Sequence, residues 1–346
     1  MATTSMKQGT QGTQGLMEHP IATRASITDW GKSLGTPLVL TLTVLLGTQL
    51  LAAVLLGGGG SHALAPAAAD ATLLHFDPKA VTSLRIEGGG QTLTLARGDQ
   101  GWLLADLGDF PADGGKVDQL LGKLAGLKRP LPVATSPEAL KRHKVADDGF
   151  ERKVTLEVGD ATVATLLLGD SPAFKRQFAR PAGETAVYDL DLPLFEVSNR
   201  RDDWLMHDRL KLDQEQIASI TAADWTLTKG KDGWQLADSQ PPPDAATVTN
   251  LVSRISNLGY RGVLGTQDQP EYQQTAPVLE LRLGLKDGGT RAYRISKVKD
   301  GQDYVLKAAD RPWYFKLSEF DLEGLIDVNR AKLLGVAPEP APTADG

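Results

Sequence analysis

The 346-residue chain contains no cysteine. That absence excludes disulfides, lipoprotein acylation, thiol catalysis and cysteine-based zinc sites together. It suits an oxidising periplasm without requiring one. Histidine is scarce and scattered, at His19, His62, His75, His143 and His207. No His-x-x-x-His or glutamate-flanked pair occurs, so no metal site is expected. Neither a Gly-x-x-x-x-Gly-Lys-Ser/Thr loop nor a strand-linked Gly-x-Gly-x-x-Gly is present, so no nucleotide and no cofactor is expected. Positive charge is in deficit: the net charge is −6. Residues 1–36 carry Lys7, Arg24 and Lys32 against Glu18 and Asp29, which leaves the remainder at −7. Nucleic acid and a polybasic membrane contact are both disfavoured as partners.

Long apolar stretches are also missing, with one exception. Pro37–Leu56 is twenty uncharged residues with nine Leu and three Val. As a helix it would span ~30 Å, a bilayer's hydrocarbon thickness. Pro37 suits a helix start and Gly57–Gly60 a stop. The stretch has no polar face, as a core helix would. A cleaved signal peptide is the alternative, since Ala63-Leu64-Ala65 fits a cleavage pattern, but the leader and the apolar run are both long for that. Arg24 and Lys32 precede the run, and no Lys or Arg follows until Lys79. The expected topology is one membrane helix, a cytoplasmic N-terminus and an extracytoplasmic bulk. Two residues here are candidate partner contacts. Trp30 sits where an indole favours the interface, and Gln49 could hydrogen-bond a neighbouring membrane helix.

The rest repeats itself. Gly101-Trp102-Leu103-Leu104-Ala105-Asp106 returns as Gly233-Trp234-Gln235-Leu236-Ala237-Asp238. Asp113 returns as Asp244, each placed to cap a helix. Val117, Leu120, Leu121, Leu124 and Leu127 return as Val248, Leu251, Val252, Ile255 and Leu258, one face of an amphipathic helix. Phe178 and Tyr188 lie ten apart, as do Tyr304 and Tyr314. Short alternating runs with Gly-rich turns around each helix read as antiparallel hairpins. The expected fold is α+β: two homologous antiparallel-sheet-plus-helix repeats after a single N-terminal transmembrane helix. The expected segments are a disordered cytoplasmic stretch 1–36, the membrane helix 37–56, a flexible linker 57–75, repeats 76–212 and 213–335, and a disordered tail 336–346.

The order of the GW-x-LAD motif, the capped helix, Leu168-Gly169-Asp170, the aromatic–Tyr hairpin and Asn199-Arg200-Arg201-Asp202 resembles the bacterial domain of unknown function 4340. The resemblance covers about residues 75–335. It implies a membrane-anchored extracytoplasmic partner of ABC transporters of the gliding-motility type, with no catalytic residues to carry over. The Pro-rich Gln240-Pro241-Pro242-Pro243 departs from the pattern.

One catalytic arrangement merits weighing. Gly169-Asp170-Ser171 looks like a hydrolase turn, yet Asp203 and His207 are spaced one residue too far for the matching acid–base pair, and Pro172 favours a plain turn. Arg200-Arg201-Asp202-Asp203 beside Trp204 is either a solvated charged end or a docking patch. The leading expectation is a non-enzymatic accessory protein of an ABC-type export system, contacting an integral membrane permease or transporter subunits through Trp30, Gln49, Arg200 and Arg201. The alternatives are a periplasmic carrier of a lipid or other apolar ligand, and a serine hydrolase.

Overall fold

A computed structural model describes residues 41–49 and 71–336. The chain divides into two units, Met1–Ala65 and Pro66–Gly346. In the first, residues 41–49 are α-helical. Thr48 satisfies its hydroxyl within the helix, with Oγ1 2.9 Å from the carbonyls of Val44 and Leu45. These residues are the described part of the apolar run 37–56. Among the described residues no helix is long and apolar enough to cross a membrane. The rest of the expected membrane helix, most of the linker and nearly all of the tail lie outside the described residues, as does Trp30.

The second unit is a mixed helix and antiparallel-sheet structure. Its first half contains β1 (Ser83–Gly88), β2 (Gln91–Gly98), β3 (Gly101–Leu104), β4 (Phe110–Pro111), α1 (Gly114–Gly126), α2 (Pro137–Arg142), β5 (Val145–Ala146), β6 (Gly149–Phe150), β7 (Arg152–Val158), β8 (Ala161–Leu168), β9 (Gln177–Pro181) and β10 (Tyr188–Leu190). The second half contains β11 (Ile217–Thr221), β12 (Thr226–Gly230), β13 (Gly233–Leu236), α3 (Ala245–Ser256), β14 (Gly262–Val263), β15 (Leu279–Leu285), β16 (Thr290–Lys297), β17 (Tyr304–Ala308), β18 (Tyr314–Leu317), α4 (Glu319–Leu322) and α5 (Arg330–Leu333). Two eight-stranded sheets result, ordered β10-β9-β8-β7-β1-β2-β3-β4 and β13-β12-β11-β15-β16-β17-β18-β14.

The ladders of the two sheets follow one plan. Leu95 faces Leu104 and Gly98 faces Gly101; 132 residues on, Leu227 faces Leu236 and Gly230 faces Gly233. Gly101 and Gly233 turn with φ of 123° and 122°, a region side chains avoid. Leu84 pairs with both Leu95 and Leu156, as Ile220 does with Leu227 and Leu283. From Arg152 of β7 to β10 the pairings recur 127 residues later, Val154–Leu166 as Leu281–Tyr293 and Leu168–Ala179 as Ile295–Leu306, up to the register shift after Leu156. The aromatic spacing is the exception. Arg180 corresponds in register to Lys307, so Tyr188 corresponds to Phe315 rather than to Tyr314. Equal spacing within each pair concealed a one-step offset, which turns side chains to opposite faces.

Each helix forms as its sequence requires. Asp113 accepts a hydrogen bond from the Lys116 N–H at 3.1 Å, and Asp244 from the Thr247 N–H at 2.7 Å. Val117, Leu120, Leu121 and Leu124 are buried on α1; Val248, Leu251, Val252 and Ile255 on α3. Each such side chain contributes about 1.5–3 kcal/mol on leaving water. Both halves feed one continuous hydrophobic core. Between them lies an aromatic seam. Phe110 of the first half meets Tyr260, Trp313 and Phe315 of the second edge-on, at centroid distances of 6.1, 5.0 and 6.2 Å. Trp313 also donates its Nε1–H to the Gly108 carbonyl at 2.9 Å.

The repeated tryptophans share a register and differ in surroundings. Trp102 faces Arg97 and Trp234 faces Lys229. Trp102 is buried, and its Nε1–H donates to Asp118 at 3.1 Å. At the matching place α3 carries Thr249, whose hydroxyl donates to the Ala245 carbonyl, and Trp234 stays half-buried against the core.

Candidate functional site

The segment Ser198–Leu205 is held by its own polar groups. The Ser198 hydroxyl donates to Asp203 at 2.5 Å, and the Trp204 indole donates to the Ser198 carbonyl at 2.8 Å. Trp204 is fully buried, with the Lys116 ammonium 5.0 Å above its ring. Backbone bonds from Asp113 N to Trp204 O and from Met206 N to Pro111 O stitch the segment to the start of α1. Asn199 is buried and donates to the Gly88 carbonyl at 2.6 Å, so the segment is also pinned to the β1–β2 turn. Buried amides need partners, and these bonds supply them.

Between that turn and the segment lies a cleft of ≈ 510 Å³, lined by Gly90, Gln91, Thr92, Asn199–Asp202 and Val263. It gathers two of the expected contact residues. Arg201 pairs with Asp106 at 2.6 Å, so its charge is already matched. Arg200 is exposed, and among the described residues its guanidinium has no hydrogen bond or ion pair. Gln49 is exposed on the helix of the first unit. Trp30 lies outside the described residues.

A repeated motif explains the spare arginine. Asp191-Leu192 is followed by Asn199-Arg200, as Asp321-Leu322 is by Asn329-Arg330. In the second copy Arg330 donates to the Ala237 and Asp238 carbonyls at 2.9 and 2.6 Å, tying down the GW-x-LAD loop. In the first copy Arg201 holds the equivalent Asp106, and Arg200 is left free. The sequence signal of this repeat is the shared spacing of Asn-Arg from Asp-Leu, which the denser charge cluster masks.

The Gly169-Asp170-Ser171 turn is built differently from a nucleophile site. The Ser171 Oγ lies 2.8 Å from the Ala173 carbonyl and 2.7 Å from the Arg176 carbonyl, closing the turn. Asp170 pairs with Lys144 at 2.9 Å. His207 packs against Tyr260 with ring centroids 5.7 Å apart and His143 against Phe178 at 4.2 Å, both pairs tilted. Gly169 is needed because a Cβ there would lie 1.9 Å from the His143 carbonyl. Among the described residues no cluster of three His, Asp or Glu could hold a metal ion.

One further polar cluster escaped sequence reasoning. Arg129 donates through both terminal nitrogens to Glu184 at 2.8 Å and to the Tyr188 hydroxyl at 2.6 Å. The Arg129 hydrogen bonds hold the Glu184 carboxyl below its usual range, against the opposing effect of burial. Glu184 and Tyr188 are near neighbours in sequence, but Arg129 comes from far upstream and leaves no local signal.

The fold is antiparallel α+β, and the cleft carries one guanidinium unpaired among the described residues, that of Arg200. The family model described as Domain of unknown function (DUF4340) matches residues 102–277, just over half of the chain, and the chain belongs to that family. No curated protein and no solved structure matches it.

Proposed function

We propose that this chain is a membrane-anchored extracytoplasmic accessory protein, without enzymatic activity of its own, that docks on an integral membrane permease or another subunit of an ABC-type export system. The observation that carries this reading is Arg200. It is an exposed, unpaired guanidinium at the mouth of a cleft, beside a neighbour, Arg201, already matched by Asp106. Arginine is favoured in contact patches because its planar donors reach a partner's carboxylates or carbonyls bidentately. The uncharged run Pro37–Leu56 supports the anchor, with the N-terminus cytoplasmic and the bulk periplasmic. Membership of the family supports the transporter association only as an expectation. The common ladder registers support reading the halves as homologous repeats, about 76–212 and 213–335.

The test is co-purification of the full chain from mild detergent, with the partner identified by mass spectrometry. Arg200→Glu is the cleaner variant, since Arg201→Glu would also break the pair with Asp106. Partner recovery should fall several-fold in Arg200→Glu, partially in Gln49→Leu, and below detection in the combination, because tethered contacts reinforce each other. Full recovery in the combined variant contradicts the reading. Alkaline phosphatase and GFP fusions at the C-terminus check the topology: active phosphatase is expected, and fluorescent GFP with inactive phosphatase contradicts it.

A further inference from the structure

The outer face of the second sheet holds a groove of ≈ 440 Å³ whose counterpart in the first sheet is filled. Strand register makes the comparison residue by residue. Lys153 faces Leu167 in the first sheet, and Glu280 faces Arg294 in the second. Thr155 faces Thr165, and Arg282 faces Ala292. Leu167 and Thr155 are 1% and 3% exposed, whereas Arg294 and Arg282 both face solvent. The first sheet's outer face is covered near β9 by the segment 137–150, where buried Arg180 donates to the Val145 carbonyl at 2.6 Å. In the second sheet the corresponding loop carries a single 3-10 turn, Pro270–Tyr272, whose Tyr272 carbonyl accepts from the Ser296 hydroxyl. Gln274 reaches across to Ser296 and the Val305 carbonyl near the far end.

The side chains left open carry a charge problem. Arg282 and Arg294 are diagonal neighbours on adjacent strands, roughly 7–8 Å apart along the sheet. Like charges on one face of a sheet repel, most strongly when directly opposite and less so at this diagonal spacing. Arg294 uses Nε on Glu280, at 2.7 Å, and its two terminal nitrogens are not so used. Among the described residues Arg282 has no ion pair. Lys307 adds positive field from β17 while its own ammonium is taken up by the Arg311 carbonyl and the Tyr314 ring. One carboxylate therefore faces three cations, in a chain whose net charge is −6. Ala292 and Ala309 leave an apolar floor beside them.

We propose that this groove binds a small ligand with one oxyanion group, a carboxylate or a phosphate, held between Arg282 and Arg294, and a short apolar body lying over Ala292 and Ala309. A planar guanidinium matches either oxyanion through paired N–H donors. The volume is within the range of small-ligand sites. The site is independent of the docking cleft at Arg200.

The test is calorimetric titration of the full chain in detergent with three ligands: hexanoate, hexyl phosphate and inorganic phosphate. Saturable binding of hexanoate or hexyl phosphate is expected, and the tighter of the two identifies the oxyanion. Arg282→Ala and Arg294→Ala should each weaken it at least tenfold. Arg282→Lys should weaken it less than Arg282→Ala, and Lys211→Ala, on exposed surface elsewhere, should leave it unchanged. Thermal unfolding of each variant confirms that the fold persists. Absence of saturable binding by all three ligands overturns the proposal, as does undiminished binding by folded Arg282→Ala. Inorganic phosphate binding as tightly as hexyl phosphate overturns the role of the apolar floor.

Discussion

Arg129 and Tyr260 occupy corresponding places, 131 residues apart at the end of the matched helices, and so do Tyr188 and Phe315. In the first half Arg129 grips Glu184 and Tyr188 in a polar cluster. In the second half Tyr260 packs on Phe315, with ring centroids 4.8 Å apart, and its hydroxyl donates to the Met206 carbonyl. The backbone plan is kept while the side-chain chemistry is exchanged. The reason is position. Tyr260 and Phe315 face Phe110 of the other half, so they form a seam and must be apolar. Arg129 has no partner in the second sheet among the described residues; besides its cluster it donates to the Leu73 carbonyl, 3.3 Å away. The ionic cluster caps the pair, and the aromatic cluster joins it.

Breaking the seam should have the largest effect. Phe110→Ala removes a fully buried ring with three aromatic neighbours, and a loss of about 3–5 kcal/mol is expected by chemical denaturation. Breaking the cap should cost less. Glu184→Gln removes the charge that Arg129 holds in a partly exposed place, and about 1–2 kcal/mol is expected at neutral pH.

The same change sharpens the comparison through pH. Arg129 holds the Glu184 carboxyl lower in the folded chain than in the unfolded one. Its contribution is therefore complete above the unfolded value of about 4.3 and is lost as pH falls through the folded value. The stability gap between wild type and Glu184→Gln should close on acidification, measured by denaturation at pH 6 and pH 3. A gap that widened in acid would contradict the cap. The smallest effect concerns the paired tryptophans. Trp102→Phe should cost about 1 kcal/mol through its lost bond to Asp118, and Trp234→Phe less, because no carboxylate faces it.

Much of this plan was legible in the sequence. The Gly-Trp hairpins, the Asp caps and the apolar helix faces each depend on a few adjacent residues, and each formed where its pattern lay. The segment 137–150 was not foreseen, although Ser136-Pro137-Glu138 is a helix-start signal. A six-residue helix is too short to show a period, and β5 and β6 have two residues each. The seam was hidden for another reason. Phe110, Tyr260 and Trp313 come from distant strands and loops, and only the folded registers bring them together. At the candidate cleft, Arg200 and Arg201 were picked out by charge. That Asp106 takes one and leaves the other needed the three-dimensional pairing.

The central claim is that an aromatic seam makes one folding unit of two similar halves. Residue-resolved hydrogen exchange of the full chain, wild type against Trp313→Ala, tests it most directly. Trp313 is half-buried in the second half and reaches Phe110 and Gly108 in the first, so truncating it cuts the seam while sparing both sheets. In wild type, amides of β8 and β16 should open with the same free energy, that of global unfolding. In Trp313→Ala the two sets should separate, one sheet opening before the other. Unequal protection of the two sheets already in wild type, or equal lowering of both in Trp313→Ala, would contradict the account.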